Sequence, residues 1–152
     1  MSTSFLFARN LSKEVKMKAE VYMVKGLSFV GKADSNHWLA MDGPVGLQGA
    51  EAASRPMELL LLGLAGCTSM DVVSILLKKR APLRAFRLEV DASRAEEHPK
   101  VFTAIHLTFY LEGEGLKEKD VIEAIRLSQE KYCSASVMFS KTCEITYEYK
   151  IE

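Results

Sequence analysis

The chain lacks an excess of either charge: its 20 lysines and arginines are matched by 20 aspartates and glutamates. No global field therefore draws it to nucleic acid or to an anionic membrane, and neither is expected as a partner. Its four prolines are scattered, and no Pro-, Gly- or Ser-rich linker divides the chain, so one domain with its own hydrophobic core is expected. The N-terminus has no basic start ahead of an apolar stretch, which argues against a signal peptide and for the cytoplasm. No apolar run looks long enough to cross a membrane, since Glu58 and Asp71 bracket the longest one short of the roughly 20 residues needed. With only three cysteines there is no disulfide scaffold, and in a reducing compartment each thiol needs its own explanation.

What is present reads as α+β. Residues 1–16 carry a weak helical pattern (Phe5, Leu6, Leu11, Val15) and are taken as an N-terminal extension; residues 17–152 are taken as a single domain. From Lys18 to Asp42, alternating apolar residues broken by Lys25-Gly26 and Asp34-Ser35-Asn36 predict three short strands. Ser54 as cap and Pro56 in the first turn open a long helix that Pro82 stops, with Lys78, Lys79 and Arg80 at its cationic C-terminal end. Two strands follow, then an amphipathic helix ending at Cys133, a short helix from about Ser134 to Lys141, and a final strand whose apolar face includes Cys143. The first half of the long helix, Leu59 to Cys67, is apolar on every side. Such a helix needs cover on both flanks, whereas one sheet covers one flank, so a symmetric dimer is expected.

Cys143 reads as a small hydrophobe. Cys67 sits at Gly63-x-x-Gly66-Cys67, where small neighbours allow close approach, but Asp71 one turn on would raise a thiol pKa. Local features alone make it a buried core thiol ahead of a nucleophile. Cys133 follows Lys131 at the start of a helix, and both the cation and the free N–H groups there favour a thiolate. A capping or core role fits it equally well. Cys67, Cys133, His37, His98 and His106 show no metal-ligand spacing, and no metal or cofactor is expected.

The segment Pro56-Met57-Glu58-Leu59-Leu60-Leu61-Leu62-Gly63-Leu64-Ala65-Gly66-Cys67, continued by Thr68-Ser69-Met70-Asp71, resembles the central helix of the OsmC/Ohr family (osmotically induced protein C and organic hydroperoxide resistance proteins). Glu130-Lys131-Tyr132-Cys133-Ser134-Ala135-Ser136 is similar to that family's second cysteine at the head of a helix. The resemblance covers about Lys18 to the C-terminus. It implies an OsmC-like fold, antiparallel sheets around a long central helix, in an intertwined homodimer. It also implies a thiol peroxidase for organic hydroperoxides, in which Cys67 attacks peroxide, Cys133 resolves the sulfenic acid as a disulfide, and a dithiol reductant restores both. The active reductases of that family place a glutamate directly after the proline, partnered by an arginine from an N-terminal strand. Here Met57 holds that position, Glu58 follows it, and Arg55 is the nearest arginine. Glu58 and Arg55 thus complete the implied catalytic set with Cys67 and Cys133, while Ser134 replaces the family's proline after the second cysteine. The competing reading is a dimeric OsmC-like protein that holds an apolar small molecule or an electrophile near Cys67 without turnover.

Overall fold

The computed structural model describes residues 15–152; the helical pattern of Phe5, Leu6 and Leu11 lies outside them. The chain divides into two compact units, Met1–Pro56 and Met57–Glu152, with the boundary inside the stretch taken from sequence as one domain.

In the first unit, β1 (Ala19–Lys25), β2 (Ser28–Ala33) and β3 (Leu39–Met41) form an antiparallel sheet in that order. The turn from β1 to β2 uses Gly26 at φ +56°, a left-handed conformation that costs glycine nothing. The loop after β3 is wrapped around one carboxylate. Asp42, only 2% exposed, accepts the backbone N–H groups of Gly43 (2.7 Å), Ala50 (3.2 Å) and Ala52 (3.0 Å) and the Ser28 hydroxyl (3.1 Å). These donors, the Ala52 N–H foremost, hold its carboxyl below the usual carboxylate range. Ser54 belongs to this loop rather than to a helix cap: it bridges to Met41, and its carbonyl accepts the Asp42 N–H. Val21, Tyr22, Met23 and Val24 of β1 are each more than half exposed.

The second unit is built on β4 (Ala85–Arg94), β5 (Phe102–Glu112) and β6 (Glu144–Ile151), with β5 in the middle. β4 and β5 are antiparallel, whereas β6 runs parallel to β5, Ala104 opposite Glu144 through Leu111 opposite Ile151. The expectation of purely antiparallel sheets is corrected here. Parallel neighbours need a crossover, and it is made of α2 (Glu118–Leu127), a π-helical turn over Ser128–Tyr132, and α3 (Ser134–Phe139). Ile105, Leu107, Phe109 and Leu111 of β5 and Val121, Ala124 and Ile125 of α2 form one buried core.

The long helix α1 (Pro56–Lys78) contributes Leu64, Thr68, Val72 and Leu76, a stripe at every fourth residue. Pro56 stands at its first position, where no N–H is required. Its end is a Schellman motif: the Arg80 N–H donates to Leu77 O and the Ala81 N–H to Leu76 O, with Arg80 at φ +55°. By length and composition, 23 residues with an 18-residue stretch of mean hydropathy 2.0, α1 could cross a membrane, so the reading that its apolar run is too short does not hold. Its polar core residue Thr68 and its four-residue stripe nevertheless engage the packed interior of the unit. Leu60, Leu62, Met70 and Leu77 on its other sides remain exposed, and a Cβ placed on Gly63 or Gly66 would meet open space.

Candidate active site: a thiol pair at a helix junction

Two segments far apart in sequence bring the sulfurs together. Cys67 lies on α1 beside the buried stripe, half-buried. Cys133 is the N-cap of α3, with no exposed surface. The π-helical turn before it ends with the Cys133 N–H donating to Ser128 O (2.8 Å), after which the backbone becomes extended (φ −72°, ψ 98°) and α3 starts in a new direction. An extended backbone at this position is what lets a side chain fold back onto its own helix terminus. Both thiols are free, and the two sulfurs and an Asp71 carboxylate oxygen all lie within 4.8 Å of one another.

The start of α3 serves both sulfurs. The Ser136 N–H donates to Cys133 Sγ (3.4 Å), and the Ala135 N–H next to it favours the thiolate of Cys67. Thr68 Oγ1 stands 3.2 Å from Cys133 Sγ and 3.3 Å from Ser136 Oγ, a buried polar triad inside an otherwise apolar core.

The two thiols are tuned in opposite directions. Burial by itself would push Cys133 up, yet the hydroxyls of Ser136 and Thr68, the Ser136 N–H and the Cys67 thiol together hold it below its ordinary value. At Cys67 the Ala135 N–H pulls down, but burial, the neighbouring Cys133 sulfur and the Asp71 carboxylate outweigh it and push the thiol up. Of the two, Cys133 is therefore the more readily ionised thiol and Cys67 the less.

The other two candidate residues are not brought to this pair by α1. Glu58 lies nine residues before Cys67, which on a straight helix is about 13.5 Å along the axis and half a turn around it. Arg55 pairs with Glu51 at 3.0 Å. Cys143 donates to Phe139 O (3.4 Å) and packs against the core, in keeping with a structural thiol. His106 hydrogen-bonds Thr146 across the β5–β6 pair (2.8 Å). Sequence reading missed Thr68, Ser136 and the closeness of Asp71 to Cys133 as well as to Cys67. The first had a signal, a hydroxyl in an apolar i, i+4 stripe.

The description "OsmC-like protein" belongs to the family model that matches residues 49–148. The protein YhfA of Escherichia coli K12 is 41% identical over 135 residues, covering 89% of this chain and 98% of YhfA. A hypothetical protein from Aquifex aeolicus is 30% identical at a TM-score of 0.75, with 91% and 98% of the two chains covered. An organic hydroperoxide resistance protein from Legionella pneumophila, 14% identical, shares the fold at a TM-score of 0.65 over 90% of this chain and 97% of its own. The long central helix, the two small sheets and the match over two thirds of the sequence agree: this chain belongs to the OsmC-like protein family.

Proposed function

We propose that this protein is a cytoplasmic thiol peroxidase that reduces organic hydroperoxides, and hydrogen peroxide less well, in defence against oxidative stress. The observation that carries the reading is the pair of free thiols held within 4.8 Å, one of them reachable from solvent and the other a buried helix cap. Peroxide reaches the half-buried Cys67. Cys133, already inclined to the thiolate, accepts the Cys67 proton as the Cys67 sulfur attacks the distal peroxide oxygen. The O–O bond breaks, the leaving alkoxide takes that proton from Cys133 and departs as the alcohol, and Cys67 is left as a sulfenic acid. The Cys133 sulfur then attacks Cys67, expelling water and closing a disulfide, so that two thiols and one hydroperoxide become one disulfide, one alcohol and one water. A small dithiol reopens the bridge by exchange.

The same reading assigns the uncovered flank of α1, with Leu62, Met70 and Leu77 exposed and open space at Gly63 and Gly66, to a second copy in a homodimer. A shared flank suits a helix whose glycines permit close approach. Glu58 and Arg55 take part in the chemistry across that dimer, because α1 itself holds Glu58 far from Cys67. Sedimentation at micromolar concentration tests the assembly, and a monomer removes both this flank assignment and the roles of Glu58 and Arg55.

The raised Cys67 thiol favours a second reading, a dimeric protein that binds an apolar molecule or an electrophile near Cys67 without turnover. One assay separates the two: cumene hydroperoxide and a dithiol are supplied to wild type, Cys67→Ser and Cys133→Ser. Turnover lost in both variants supports the peroxidase. Equal, slow consumption by all three leaves the binding protein.

A further inference from the structure

Cys67 and Asp71 are four residues apart on α1, the spacing that sets two ligands on one helix face. Cys133 meets them from the α2–α3 crossover, and one donor atom from each of the three lies within 4.8 Å of the others. A second observation concerns the same carboxylate. Asp71 Oδ2 is buried without a hydrogen-bond partner, although buried carboxylate oxygens ordinarily have one. We propose that Cys67, Asp71 and Cys133 form a binding site for a thiophilic divalent cation of the zinc class, three protein ligands with a fourth position open.

The donor set suits that cation. Zinc takes thiolate and carboxylate ligands in a tetrahedron whose donor atoms stand about 3.6–3.8 Å apart for bonds of about 2.1–2.3 Å. The present separations reach that geometry with a contraction of about an ångström or less. Thiolate ligands are commonly oriented by donors outside the metal's own shell. Here the Ala135 and Ser136 N–H groups and the Thr68 hydroxyl already reach the two sulfurs. Binding displaces the thiol protons to solvent and leaves the oxidation state of both sulfurs unchanged. A bound cation would occupy the electron pairs that a two-cysteine peroxidase cycle uses, so cation and peroxide compete for one site.

The site stands apart from the peroxidase reading, because it is tested without peroxide. The full chain, fully reduced, is titrated with cobalt(II), a spectroscopic substitute for zinc. The expected result is a thiolate-to-cobalt charge-transfer band that saturates at one cobalt per chain and is displaced by zinc. Asp71→Asn, nearly identical in shape, should bind at least about tenfold more weakly, and Cys143→Ser should bind as wild type does. Zinc should also protect Cys67 and Cys133, but not Cys143, from alkylation read residue by residue by mass spectrometry. A wild-type protein with no charge-transfer band at stoichiometric cobalt would overturn the site. So would an Asp71→Asn variant of unchanged affinity, or protection that falls on Cys143.

Discussion

The two walls of the thiol site are built on different principles. The α1 wall is a helix chosen for apolarity, whose acid one turn beyond the thiol, Asp71, opposes ionisation of Cys67. The α3 wall is a polar helix start, where backbone N–H groups and the Ser136 hydroxyl gather around sulfur and the Thr68 hydroxyl reaches across from α1. Equal chemistry placed against unequal walls gives two thiols that differ in exposure and in acidity. The lesson is that accessibility and acidity have been separated, Cys67 holding the first and Cys133 the second.

That contrast can be broken outright. Cys67→Ser should abolish peroxide consumption, with a loss beyond about 100-fold in rate, because no other sulfur in the pair reaches solvent. Cys133→Ser should consume at most one equivalent of peroxide and stop with a sulfenic acid on Cys67, detectable by dimedone labelling. If Cys67→Ser retains wild-type turnover, the exposed wall is not the reacting one. The next largest effect follows oxidation. A disulfide between positions 67 and 133 would close a long loop and raise stability by about 4 kcal/mol on the chain-entropy account, so the oxidised protein should show a clearly higher denaturation midpoint than the reduced one.

The contact between the two walls is sharpened by Thr68→Val on α1, which keeps the shape and removes the hydroxyl shared by Cys133 and Ser136. It should cost about 1–2 kcal/mol in denaturant unfolding and raise the pH at which Cys133 ionises. The α1 wall gives the smallest effect. Asp71→Asn in the metal-free protein removes a repulsive charge and should speed alkylation of Cys67 at neutral pH by less than about tenfold. As pH rises, Cys133 ionises before an ordinary thiol and Cys67 after one. Residue-resolved alkylation against pH should therefore give two separated curves, and their coincidence would dissolve the contrast between the walls.

Most of the architecture can be read in the order of residues, because it depends on local periodicity. The three N-terminal strands, the long helix, β4 and β5, and a second cysteine heading a helix all follow from alternation, spacing and turn residues. The direction of β6 does not, since alternation looks the same in a parallel and an antiparallel neighbour. Ser54 is a good cap by type, but the loop closed by Asp42 engages it with Met41 instead. The pair itself was nameable only through resemblance, as nothing local to Cys67 announces a partner on another element. Asp71 was visible as a local repulsion, yet its closeness to Cys133 arises from the crossover and from no spacing in the chain.

The parallel pairing of β5 with β6 has a consequence for the order of folding. Its first register pair, Ala104 and Glu144, must be brought together across the whole α2–α3 segment, so loop-closure entropy is spent before the ladder returns anything. Helix α1 and the β4–β5 hairpin can form from near neighbours, whereas Cys133 is fixed against Cys67 only once that long segment is anchored at both ends. During refolding the thiols thus meet late, and a chain refolded under oxidant is exposed to mispairing with Cys143 for as long as β6 is undocked.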